Sequence, residues 1–222
     1  MEARDPPRDS DCRLPPGFVR LALIAPSIFQ DIRYASSCNF SGHPVPGYST
    51  ADCWLREEAA RALARVAVDA ARLGLALLVY DGYRPQRATD AFVRWVAAPD
   101  DALAKSHYYP AIDKGRLIAE GFIGKKSIHS TGLAVDLCLA RQDGSALDFG
   151  TTFDFFDPRS ATAHRAISGE AKRNRSKLLK LLAREGFENY HREWWHFELS
   201  GFADAPAYDF PIVPIQRAFQ TS

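Results

Sequence analysis

The sequence predicts an α+β fold, and three observations carry the prediction. Apolar residues recur at helical gaps over 55–73 and again over 174–184. Apolar runs at 75–80 and 132–140, with the β-prone run "EWWHFEL" at 193–199, have the character of strands. Helices and strands mix along the chain without a βαβ rhythm, which favours α+β over a parallel α/β sheet. At 222 residues the chain is long enough to bury a real core.

In chain order, residues 1–18 are charged and proline-rich and lack an apolar h-region, so they read as a loosely held arm and not as a secretory signal. The domain is expected over 19–222, in the cytoplasm. "FSGHPVPGYST", 40–50, has loop composition. A helix is expected from Asp52, with Leu55, Ala59, Leu63, Val66, Ala70 and Leu73 on one face and Gly74 as its stop. A buried strand follows at 75–80 and breaks at Asp81-Gly82; Pro85 disfavours helical geometry at Arg84 and implies an ordered turn there. A second helix is expected to carry "ATDAFVRWVA", and 99–126, with glycines at 115, 121 and 124, reads as a long surface excursion. After the strand at 132–140 comes the turn "RQDGS". The helix of 174–184 carries Leu178, Leu181 and Leu182, and "EWWHFEL" is expected as a central strand.

Composition excludes several classes. Twenty-eight Lys+Arg against 27 Asp+Glu leave a net charge of +1, so bulk electrostatics give no argument for a nucleic-acid partner. "KRNRSK", 172–177, reads as the solvated start of a helix. No stretch approaches the roughly 20 apolar residues a membrane-spanning helix needs. The four cysteines form no CxxC pair, which argues against a zinc knuckle or redox motif, and Cys138 is expected as a buried thiol. The sequence assigns no oligomeric state.

Two local patterns carry chemistry. In "SIHSTGLAVD" His129 and Asp136 are seven apart, so on an ideal strand they would face opposite ways. A turn at Gly132 can bring them to one point. In "EWWH", Glu193 stands three before His196, and a bend at the strand start would bring both to one space. His129, Asp136 and His196 together offer two nitrogens and one oxygen, a donor set that suits Zn²⁺ with one position open for water. Glu193, outside the ligand set, is the natural general base. Spacing alone also admits a pair of partly buried histidines hydrogen-bonded to carboxylates.

These motifs resemble the D-alanyl-D-alanine dipeptidases of the vancomycin-resistance type. That branch belongs to a wider zinc peptidase group which also holds D,D-carboxypeptidases and is structurally akin to Hedgehog signalling domains. The likeness extends to "DIRYASSCNFSGHPVPGY", "YDGYRP" and "FGTTFDFFDPRS", in one consistent order from about residue 20 to about 200. It implies a single domain with a central, mostly antiparallel sheet and flanking helices. It also implies one zinc held by His129, Asp136 and His196, Glu193 as base, and Arg84 as the group that meets negative charge in the transition state. For the substrate, it points to Asp154 and the Tyr34 region at the amine end and to Ser127 near the carboxylate. The implied reaction is hydrolysis of the small dipeptide D-Ala-D-Ala. A D,D-carboxypeptidase acting on peptidoglycan stem peptides and a non-catalytic zinc-containing binding module are the alternatives.

Overall fold

The computed structural model describes residues 14–214. In chain order its elements are β1 (Phe18–Arg20), the one-turn α1 (Leu21–Ile24), β2 (Phe29–Gln30), β3 (Trp54–Arg56), α2 (Glu57–Arg72), β4 (Ala76–Asp81), α3 (Gln86–Ala97), α4 (Ala102–Tyr108), β5 (Ala134–Ala140), α5 (Gly169–Ala183), β6 (Phe187–Asn189) and β7 (His196–Leu199). Short 3-10 turns fall at Arg33–Ala35, Lys114–Arg116, Ile128–Thr131 and Pro158–Ser160. Five strands form one sheet in the order β2-β4-β5-β7-β6; only β2 and β4 run parallel. The expected α+β class and mostly antiparallel sheet are what the chain adopts. β1 and β3 make a separate antiparallel pair.

β4 and β5 are buried along their whole length, as their continuous apolar runs require. Alternation along β5 sends Val135, Leu137 and Leu139 to one face and Asp136 and Cys138 to the other. On the second face Cys138 lies 3.2 Å from the Tyr80 hydroxyl, and the Tyr80 ring stacks on Phe153 from the long loop before α5. α2 and α5 pack against the sheet and against each other. No helix among the described residues is long and apolar enough to cross a membrane.

Several boundaries differ from expectation. The helix expected from Asp52 begins at Glu57, because Trp54–Arg56 pair with β1 and the Arg56 amide donates to the Gly132 carbonyl. Leu73 falls past its last turn and is exposed, while Gly74, at φ +70°, ends it as expected. α5 starts five residues earlier than 174, at a cap in which the Ser168 hydroxyl accepts from the Ala171 amide. The basic run on that helix is not all solvated: Asn174 and Arg175 are buried, and Arg175 donates to the carbonyls of Phe149, Arg159 and Ala161. Segment 99–126 is no simple surface excursion. It carries α4 and a 3-10 turn and buries Tyr109, Leu117 and Ile123. "EWWHFEL" is strand only from His196; Glu193 to Trp195 form the bend before it. Of the expected N-terminal arm, residues 1–13, with Cys12, lie outside the described residues, and Phe18 is packed in the core.

Candidate active site

A single row across the three inner strands builds the site. Strand register sets Asp81 on β4 opposite Asp136 on β5, and Asp136 opposite His196 on β7. A bulge between Val79 and Asp81 produces the first pairing. Two carboxylates directly opposite each other are unfavourable on a sheet. Arg84 resolves the conflict: its Nε donates to Asp81 Oδ2 at 2.8 Å and its Nη2 to Asp136 Oδ2 at 3.2 Å. The guanidinium also lies over the rings of Tyr34 and Phe92, 5.1 and 5.2 Å from their centroids. Asp81 is fully buried and takes a further bond from the Tyr48 hydroxyl at 2.7 Å.

His129 reaches this row from the 3-10 turn before β5. Ser127 caps that turn, its Oγ accepting from the His129 amide at 3.3 Å, and Gly132 closes it at φ +77°. A Cβ on Gly132 would sit 2.4 Å from the Phe18 ring. The sharp reversal makes the odd separation of His129 and Asp136 irrelevant, as the sequence suggested. Glu193 enters from the bend, where its amide donates to the Tyr190 carbonyl and its own carbonyl accepts from the His196 amide.

The donor atoms converge closely. His129 Nε2 lies 3.0 Å from His196 Nδ1 and 3.2 Å from Asp136 Oδ1, and His196 Nδ1 is 3.0 Å from the same oxygen. The outer nitrogens fix the tautomers. His129 Nδ1 is 2.7 Å from the Gly82 carbonyl, which can only accept, so Nδ1 carries the proton. His196 Nε2 is 3.1 Å from Glu198 Oε1, a carboxylate oxygen, and is protonated by the same reasoning. The facing nitrogens, His129 Nε2 and His196 Nδ1, both lie against Asp136 Oδ1, where a proton or a cation can bridge them, and this set could hold a metal ion.

The electrostatics show how strongly the cluster draws positive charge. Burial pushes the Glu193 carboxyl up to about 8. Burial works against the charge of His196, yet its bonds to Asp136 and Glu198 prevail and raise it to about 10. Asp136, although buried, is held far below the usual carboxylate range by His129 and His196. Asp154 is raised well above that range by burial and by Asp136, against the pull of Arg84. The Tyr34 hydroxyl, 3.0 and 3.2 Å from its two oxygens, is the donor that reaches it.

All the expected site residues line one cavity of about 230 Å³: Tyr34, Arg84, Ser127, His129, Asp136, Asp154, Glu193 and His196. It is smaller than the roughly 300–1,000 Å³ of pockets for drug-sized ligands. Phe40, Phe92 and Phe156 wall it on one side, and Gly121 to Gly124 with Lys126 on another. Thr89 Oγ1, buried without a hydrogen-bond partner, belongs to the same wall. His191, two residues before Glu193, is exposed and packs on Tyr190. Glu198 and the Gly82 carbonyl hold the histidines. For Glu198 a signal was present, since residues two apart on a strand share a face with His196; for a backbone carbonyl there was none.

Fold and donor set are those of a metallopeptidase. Residues 15–217 match the family described as D-ala-D-ala dipeptidase, Peptidase_M15. A D-alanyl-D-alanine dipeptidase of Enterococcus faecium is 40% identical over 198 residues, covering 88% of this chain and 98% of the relative. Those of Streptomyces coelicolor and Escherichia coli are 38% and 35% identical, covering 82% and 85% of this chain and 92% and 87% of their own lengths. The chain belongs to the Peptidase_M15 family of D-ala-D-ala dipeptidases.

Proposed function

We propose that this chain is a zinc dipeptidase that hydrolyses free D-Ala-D-Ala to two D-alanines in the cytoplasm. The observation that carries the reading is the joining of the His129, Asp136 and His196 cluster with Glu193 and Arg84 in one small cavity. Zinc suits the cluster: donors 3.0–3.2 Å apart come close to the edge of about 3.4 Å in a tetrahedron with bonds of about 2.1 Å. When bound, the ion supplies a Lewis acid for the scissile carbonyl and acidifies water.

The chain's own residues supply the rest. Glu193 takes the proton of the attacking water and returns it to the leaving amine, a transfer its raised pKa favours near neutral pH. Arg84, clamped by two aspartates and two rings, presents fixed positive charge to the oxygen on which negative charge develops. The Asp154 carboxylate takes the substrate ammonium, because a buried carboxylate met only by a phenol hydroxyl gains from a cationic partner. Ser127, which lines the same cavity beside His129, receives the carboxylate end. Tyr34 joins the two halves, binding Asp154 through its hydroxyl and Arg84 through its ring.

Cleavage of D-Ala-D-Ala and of its N-acetyl form by the zinc-loaded protein tests the reading. Blocking the amine removes a charge-assisted hydrogen bond, so the free dipeptide is expected to be turned over at least about 10-fold faster. Equal or faster cleavage of the acetylated peptide would make the chain a D,D-carboxypeptidase, and loss of neither peptide would deny it hydrolase activity.

A further inference from the structure

We propose that Glu198 is a positioning residue for the metal, holding the Nε2–H of His196 so that Nδ1 is the nitrogen aimed into the donor cluster and offered to the ion. The inference rests on the metal reading of that cluster. The two histidines are held differently. His129 is fixed by a backbone carbonyl at 2.7 Å, whereas His196 is fixed by a side-chain carboxylate at 3.1 Å. A carboxylate on the far nitrogen sets the ring's orientation and also strengthens it as a donor.

The position of Glu198 on the sheet argues against a role in stability alone. Strand register sets it directly opposite Glu188 on β6, and like charges so placed are unfavourable. Glu188 is engaged by the Ser200 hydroxyl at 2.7 Å, and His196 is the ion-pair partner that reaches Glu198 among the described residues. Glu198 thus sits opposite a like charge on the face where His196 points, at the edge of the same cavity. Its side chain is 41% exposed, which screens the pair and keeps the expected effect moderate.

The test titrates the metal-free wild-type protein, Glu198→Ala and Glu198→Gln with zinc against a competing chelator, with unfolding curves to verify that each variant is folded. Second readout is the imidazole ¹H–¹⁵N spectrum of each zinc-loaded form. Glu198→Ala is expected to weaken zinc binding by about 10- to 100-fold. Glu198→Gln, which keeps an accepting oxygen without the charge, is expected to lose less and to retain the His196 Nε2–H signal that the alanine variant loses to exchange. Unchanged zinc affinity in Glu198→Ala, or a wild-type His196 protonated on Nδ1 in the zinc-loaded form, would overturn the proposal. Failure of the wild-type protein to take up zinc would instead overturn the metal reading beneath it.

Discussion

Asp154 shows how a single residue is placed for chemistry in a backbone conformation that few residue types adopt. It is the non-glycine residue with positive φ among the described residues, at +58°, and its buried carboxylate meets one hydroxyl. Left-handed backbone costs an ordinary residue roughly 1–2 kcal/mol, and aspartate and asparagine are among the few that tolerate it. Asp154→Asn should therefore fold normally and raise KM for free D-Ala-D-Ala by about 10- to 100-fold, the size of a lost charge-assisted bond. Steady-state kinetics beside a thermal melt would check both halves; an unchanged KM would remove Asp154 from the amine end. At this scale much of the site was legible, because His129, Asp136, Glu193 and His196 stand in two short motifs whose spacing left structural histidines open but whose resemblance to a zinc peptidase family pointed to a metal site. What escaped was whatever depends on strands meeting: the Asp81–Asp136 opposition that explains Arg84, and the Glu198 contact to His196.

Elements place those residues, and their turns are the sensitive points. Gly132 closes the turn that delivers His129, with φ +77° and the Phe18 ring 2.4 Å from any added Cβ. Gly132→Ala is expected to destabilise the fold by more than about 1–2 kcal/mol, since left-handed strain and a clash with a core ring add. Denaturant unfolding measures the loss. A second sensitive point is the C-terminal segment, which ties the site's loops together. Tyr83 Oη both donates to the Phe210 carbonyl and accepts from its amide, at 3.0 and 2.9 Å, and the Tyr208 amide donates to the Ser130 carbonyl beside His129. Tyr83→Phe strands both Phe210 backbone groups and should cost about 1–3 kcal/mol in the same assay. Long apolar runs such as Ala76–Asp81 and Ala134–Ala140 were legible as strands because burial on both faces leaves a continuous signal. Trp54–Arg56 were not, since their apolar residues fit the helical spacing of α2 and only the distant pairing with β1 makes them strand. The wall formed by 99–126 was hidden likewise, because its buried residues, Tyr109, Leu117 and Ile123, have no regular period.

Across the whole molecule, the proposed metal ligands come from parts of the chain that only the folded state brings together: a turn before β5, β5 itself and β7. Zinc binding should then stabilise the folded chain as a unit. At a free concentration about 100 times Kd the gain is about 2.7 kcal/mol, so chelation should lower the unfolding midpoint by several degrees, which calorimetry with and without chelator would record. The α+β class was legible from the mixed order of patterns, whereas the row of Asp81, Asp136 and His196 depends on register, which a one-dimensional pattern does not encode. The most direct measurement is a zinc titration of the metal-free protein, following D-Ala-D-Ala hydrolysis and bound zinc together, in parallel with Glu193→Ala. The expected result is wild-type activity that rises to a plateau at one zinc per chain, while Glu193→Ala binds the same zinc and is slower by about 10²–10⁴-fold, the usual worth of a general base. Activity independent of zinc, or a Glu193→Ala protein as active as the wild type, would contradict the account.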